Sequence, residues 1–237
     1  MKEKVKADPA LVRELIDKYI PEASGESSEK LVRYYEMLIE WNNRMNLTAI
    51  TDPEGVVLRH FADSLIGAEL ITEGASCIDV GTGAGFPGLP LKIMRPDIEL
   101  TLLDSLNKRI SFLDEVAKEL GIDCELVHAR AEDGGRNPRF RERFDFALSR
   151  AVASANLLAE WTLPFVKTNG ASLMYKGPSA DEELKGAMNA LRELNSTAEI
   201  REFAAVWGVR KLIVIKKHGQ TPQKYPRKPG AAEKNPL

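Results

Sequence analysis

The residues with the most legible chemistry are Gly81, Gly83 and Gly85, three glycines at alternate positions within Asp79-Val80-Gly81-Thr82-Gly83-Ala84-Gly85-Phe86-Pro87-Gly88. The run follows an apolar, β-rich stretch and opens a helical one. Glycines leave no side chain where a ligand must approach the backbone closely. The helix beyond offers N–H groups without intrahelical partners. Pro87 and Pro90 suit its first turn, where a missing N–H costs little. Such a loop holds a nucleoside-bearing cofactor. Gly83, Gly85 and Gly88 satisfy the dinucleotide spacing, and Asp104 ends the next strand, where a ribose-binding acid belongs. NAD and S-adenosylmethionine both carry an adenosine ribose, so Asp104 serves either one. Two features favour the methyl donor. Asp79 closes the first strand, where an acid can meet the cationic methionyl end, and Pro87 lacks the N–H that a pyrophosphate would use. A glycine turn that holds no ligand is the bland alternative. Arg130-Ala131-Glu132-Asp133 ends the third strand, where an adenine lies in a sheet of this kind. The Ala131 backbone and the Glu132 carboxylate are placed to contact it, unless Glu132 merely caps the following turn.

These residues need a scaffold, and the pattern around them supplies one. From Ala75 onward, short β-rich runs alternate with helical ones, the signature of a parallel sheet with crossover helices. Strands are predicted at Ser76–Val80, Glu99–Asp104, Cys124–Ala129, Phe144–Ser149 and Ala171–Tyr175. Helices are predicted at Leu89–Met94, Lys108–Leu120 with Gly121 as terminator, Leu157–Val166 and Asp181–Leu194. Ile200–Val206 and Lys211–Lys216 form a closing antiparallel pair. The fold class expected is α/β: a Rossmann-like, seven-stranded, mostly parallel sheet of the class I methyltransferase type. Before it, Leu11, Leu15 and Ile16 share one helical face. Leu31, Tyr34, Tyr35, Leu38, Trp41 and Met45 form the apolar stripe of a longer helix, and Val56 to Leu65 predicts another. The division expected is a helical extension over 1–70, the sheet domain over 71–218 and a basic tail over 219–237.

The chain has 237 residues, 43% hydrophobic and 29% charged, with a net charge of -2. That suits a folded domain with a full core and excludes a strongly basic nucleic-acid coat, so any RNA contact must use local charge. Cys77 and Cys124 both sit in strand-like runs and read as buried thiols in a reducing compartment. No metal site is expected, since no Cys or His clusters beside either thiol. The N-terminus lacks the apolar core of a signal peptide and no run is long enough to span a membrane, so a soluble cytoplasmic protein without membrane partners is expected.

Local positive charge is available. Eight Lys or Arg residues and one acid, Glu233, lie between Arg210 and Leu237, which reads as an extended basic tail able to follow a phosphate backbone, or as a disordered solubilising one. Lys108, Arg109, Arg130, Arg136, Arg139, Arg141, Arg143 and Lys176 are expected near the C-terminal edge of the sheet, with Arg109, Arg150 and Lys176 as substrate contacts. Arg150 follows the fourth strand at the switch-point edge. It could anchor RNA, hold the cofactor carboxylate, or form a surface ion pair. His60 and Asp63 can share a helix face, with a buried structural hydrogen bond as the favoured role and a place at the cofactor pocket second.

Several of these pieces together resemble the bacterial small-subunit rRNA guanine-N7 methyltransferases, a family also called glucose-inhibited division protein B. They are Trp41-Asn42 with Met45-Asn46-Leu47-Thr48, His60 with Asp63-Ser64-Leu65, Asp79 to Leu91, Leu102-Leu103-Asp104-Ser105 with Lys108-Arg109, Ser149-Arg150-Ala151-Val152-Ala153, and the tail Tyr225-Pro226-Arg227-Lys228-Pro229-Gly230. Val152 departs from the family, which commonly has Phe there. The resemblance implies S-adenosylmethionine as cofactor and 16S rRNA or the small ribosomal subunit as partner. It implies methyl transfer to N7 of guanine 527 in the 530 loop, with Gly81, Phe86, Ala131, Glu132 and Arg150 lining the cofactor site. Guanine N7 carries no proton, so no single proton-transfer residue is expected to be essential. An NAD-dependent oxidoreductase and a non-enzymatic RNA-binding assembly factor are the rival readings.

Overall fold

The computed structural model describes residues 5–237. Asp8 caps α1 (Pro9–Tyr19) by accepting from the Leu11 N–H, and Gly25 precedes α2 (Glu26–Asn42). The stripe on α2 buries Leu31, Tyr34, Tyr35 and Leu38, while Trp41 stays half-buried and Met45 lies beyond the helix end. Asn42 Oδ1 accepts from the Leu47 and Thr48 N–H groups, which turns the chain back. A single helix predicted over Val56 to Leu65 is instead three joined pieces: α3 (Pro53–Val56), a π-helical segment (Val57–Ala62) and α4 (Asp63–Leu65). A π segment widens the helix and is common at functional sites.

The sheet follows with β1 (Ser76–Val80), α5 (Gly88–Met94), β2 (Glu99–Asp104), α6 (Asn107–Leu120), β3 (Glu125–His128), α7 (Ala131–Arg136), β4 (Phe144–Arg150), α8 (Ala155–Thr162), β5 (Val166–Lys176), α9 (Ala180–Glu193), β6 (Ser196–Ala205) and β7 (Gly208–Lys217). Seven strands stand in the order β3-β2-β1-β4-β5-β7-β6. The first five run parallel, and β7 lies antiparallel between β5 and β6. Strand order reverses between β1 and β4, so a crevice opens at the C-terminal ends of β1, β2 and β4. Gly121 terminates α6 in the left-handed conformation, as the sequence suggested.

Other local expectations change as well, among them the helix expected over Leu157–Val166, which spans Ala155–Thr162 instead. Cys124 is half-buried just before β3 rather than inside it. Strand β5 begins at Val166, because Val166 already pairs with Phe144 and a register shift before Phe146 accommodates the residues up to Ala171. The tail is neither extended nor free. Arg227 forms a fork on Glu160, whose carboxylate is 1% exposed, and α10 (Ala231–Lys234) closes the chain with Ala232 buried. Arg141 donates to the carbonyls of Tyr225, Thr221 and Pro222, bracing the same segment.

Alternation along the strands divides the core. Cys77, Leu100, Leu102, Leu148 and Leu173 share a buried cluster with α1, α2, α5 and α6. On the other face, Met174, Ile213 and Ile215 pack against α8 and α9, and Ile78, Val80, Leu103 and Ala147 pack with Phe165. The N-terminal helices are therefore one wall of the doubly wound sheet, and they bring His60 and Thr48 to the crevice.

Candidate functional site

The crevice is a cavity of about 550 Å³. The glycine loop lines one side with Gly81, Thr82, Gly83, Ala84 and Phe86. Asp104 and Arg109 stand at the β2 end, Ala129 to Glu132 at the β3 end, and Arg150 to Val152 at the β4 end. His60 and Thr48 close one side, and Trp161 and Glu233 contribute from α8 and the C-terminal turn.

Backbone geometry explains the loop. Gly83 has φ +63, and an added Cβ would meet nothing within 4 Å, so the peptide presents bare backbone to open space. Its N–H donates to Asp104 Oδ2 at 2.9 Å, while Leu106 N–H donates to Oδ1 at 2.9 Å. Asp104 thus ties the loop to the β2 end. Arg109 covers the same carboxylate, at 3.1 Å from Oδ2. Gly85 (φ +98) faces the other way: a Cβ there would stand 2.6 Å from the Tyr34 hydroxyl and 2.7 Å from Leu89. The Tyr34 hydroxyl donates to the Ala84 carbonyl, clamping the loop onto α2.

Asp79 was expected to meet the cationic end of a ligand. It is instead wholly buried beneath the loop and does not line the cavity. Its Oδ2 accepts from Thr82 Oγ1 at 2.7 Å and from Gly88 N–H at 2.9 Å, so it shapes the turn from below. Among the described residues its Oδ1 has no hydrogen-bond partner. Desolvation pushes its pKa up to about 6, against the lowering effect of those two bonds.

Across the cavity, Arg150 is the hub. Its Nη1 donates to Asp63 Oδ2 at 3.0 Å and to the carbonyls of Arg59 and His60, and its guanidinium lies 5.1 Å from the Phe86 ring centre. His60 stacks on Phe86 at 4.4 Å. Guanidinium nitrogens only donate, so His60 Nδ1 is the acceptor from Arg150 Nη2 at 3.3 Å, and Nε2–H donates to Thr48 Oγ1 at 2.8 Å. That fixes a neutral tautomer, and burial followed by the Arg150 charge pushes the His60 pKa down to about 3. The His60 and Asp63 side chains do not bond each other; both bond Arg150. The π segment orients the His60 and Arg59 carbonyls toward Arg150, a role that no helical periodicity discloses.

Lys176 is not at the cavity. It is buried, 2.7 Å from Glu183, and donates to the Ala153 carbonyl at 2.6 Å. The expected basic ring also breaks up. Arg139 and Arg143 line a different hollow with Ser76, Glu99 and Phe144, at the opposite edge of the sheet, and Arg139 pairs with Glu125. Arg109 and Arg130 alone of that group line the cavity. Trp161 carries no local signal in the sequence, Glu233 reads there only as part of the basic tail, and Val152 only as a departure from the family. A Cβ on Gly81 would stand 3.0 Å from Val152 Cγ2, so that side chain forms the wall facing the loop.

Comparison with known proteins adds to this geometry. The family model described as rRNA small subunit methyltransferase G matches residues 27–206. The ribosomal RNA small subunit methyltransferase G of Alkaliphilus metalliredigens is 49% identical over 215 residues, covering 88% of this chain and 90% of its own. That of Lactobacillus delbrueckii subsp. bulgaricus is 44% identical over 238 residues, covering 97% and 100%. The chain belongs to the rRNA small subunit methyltransferase G family. Among solved structures, a SAM-dependent O-methyltransferase from Thermotoga maritima superposes with a TM-score of 0.52 at 13% identity, covering 79% of this chain and 72% of that one. A SAM-dependent methyltransferase from Aquifex aeolicus gives 0.50 at 19% identity, covering 69% and 93%. The sheet is thus the Rossmann-like class I methyltransferase fold. Within the family match lie the glycine loop, Asp104, Glu132 and Arg150, while Glu233 and the Arg227 fork lie beyond it.

Proposed function

We propose that this member of the methyltransferase G family transfers the methyl group of S-adenosylmethionine to N7 of a guanine in 16S rRNA, guanine 527 by the family resemblance. The observation that carries the cofactor reading is the bare, open backbone at Gly83 joined to the Asp104 carboxylate at the switch point. A ribose seated there finds an acidic acceptor for its hydroxyls and no Cβ in its way. Seating it requires the Arg109 guanidinium to swing off Asp104. Ala131 and Glu132 at the start of α7 would hold the adenine end, and Phe86 and Arg150 the methionyl end; Arg150 supplies a guanidinium matched to a carboxylate.

Bound S-adenosylmethionine supplies an electrophilic methyl on a sulfonium. The residues here supply position and exclusion of water. Guanine N7 presents a lone pair without a proton, so the reaction needs alignment rather than a base. The site agrees with that requirement: His60 is neutral, and its acceptor nitrogen is already occupied by Arg150. Thermal shift with S-adenosylhomocysteine and with NAD, followed by mass mapping of methylated 16S rRNA, tests the reading. Stabilisation by NAD alone, or a methyl on another atom, overturns it.

A further inference from the structure

Beside the cavity lies a second pocket of about 380 Å³, separated from it by the Arg150–Ala151 wall and His60. Its lining includes Arg59, Asp63, Arg150, Trp207 and Arg210. Asp63 is buried and bridges two of the arginines, Arg150 at 3.0 Å and Arg210 at 2.6 Å, and Trp207 Nε1–H points to it at 3.4 Å. Three arginines and a single carboxylate thus line the pocket beside an uncharged His60, which leaves its wall positive. Arg59 is exposed, and no acid stands within salt-bridge distance of it among the described residues.

The β6–β7 hairpin gives this pocket a reaching wall. The pairing of β5 with β7 ends at Lys176 and Lys211, whereas β6 and β7 stay paired to Ala205 and Gly208. The hairpin therefore overhangs the sheet edge where the cavity opens. Its tip carries Val206, 74% exposed, and Val209, 48% exposed, beside Trp207, which is pinned to Asp63. Exposed apolar side chains on a strand tip anchored by a buried ion cluster serve no packing purpose. Apolar contacts beside guanidiniums suit an unpaired nucleotide, whose base has an apolar face and whose phosphate is an anion.

We propose that this pocket and the hairpin tip hold the RNA nucleotide next to the methylated base, its phosphate on Arg59 and its base against the Val206–Val209 tip. The inference rests on the rRNA methyltransferase reading and extends it to residues outside the cofactor cavity.

The test compares Arg59→Gln and the paired Val206→Ser, Val209→Ser with wild type and with Lys185→Gln, a surface control on α9. Affinity for protein-free 16S rRNA is measured across salt concentrations, alongside calorimetric affinity for S-adenosylhomocysteine. Arg59→Gln is expected to lower the salt slope by about one. The paired valine variant is expected to weaken RNA binding about tenfold. Both should keep wild-type affinity for S-adenosylhomocysteine. Unchanged RNA affinity and slope in the variants, beside a wild type that binds RNA, overturn the pocket assignment alone. A defect on the small subunit but not on protein-free rRNA also overturns it, because the tip would then meet a ribosomal protein. A wild type that neither binds nor methylates rRNA overturns both readings.

Discussion

Asp79 offers a test of how the glycine loop is held. Its carboxyl is wholly buried, with one oxygen accepting two hydrogen bonds and the other, among the described residues, accepting none, and its pKa rises from 3.8 to about 6. A carboxyl whose folded pKa lies above its unfolded value binds its proton more tightly in the native state. Its stabilising contribution is therefore fully present below pH 3.8 and is lost as pH rises through about 6. The full span is about 3 kcal/mol, and lowering pH from 7 to 5 recovers about 1.3 kcal/mol of it. Asp79→Asn keeps an oxygen for the Thr82 and Gly88 donors but removes the titration. Its unpartnered amide adds a fixed cost that does not vary with pH. Urea unfolding of both proteins at pH 7 and pH 5 isolates the effect, since all other carboxyls titrate equally in the two. The wild type should gain about 1.3 kcal/mol more than the variant on acidification. Equal changes in the two proteins would refute the buried, half-partnered carboxyl.

Asp104→Asn should weaken S-adenosylhomocysteine binding about ten- to hundredfold by calorimetry, the worth of a charged hydrogen bond; unchanged affinity would place the ribose elsewhere. Arg227→Ala leaves the buried Glu160 carboxylate with only the backbone N–H of residue 227 as donor and without its counter-charge, and should cost about 3 kcal/mol in urea unfolding. Adding Glu160→Leu should restore most of it, and if the single variant loses nothing, the fork does not hold the C-terminal segment. His60 should remain neutral down to about pH 5, because burial and Arg150 hold its pKa about 3. Its ring resonances should not move between pH 8 and pH 5, and a midpoint near 6.5 by nuclear magnetic resonance would contradict the Arg150 contact.

Features whose physics is local are legible in the residues alone. Alternation between β-rich and helical runs fixed five parallel strands and a closing hairpin, because strand and helix periods are written in neighbouring residues. Alternate glycines fixed a turn that presents backbone, and Gly121 fixed a helix end through its left-handed φ. Partners far apart in the chain emerge only once the elements pack. Asp79, one residue from the loop, reads as a ligand contact until β1 is packed and its carboxyl proves to lie underneath. Lys176 and Arg139 read as parts of a basic rim until Glu183 on α9 and Glu125 on β3 prove to be their partners. The C-terminal charges read as a free arm because nothing nearby announces Glu160, 67 residues away, as the partner of Arg227. Charge and exposure depend on who else is present, and that is settled by packing across the whole chain.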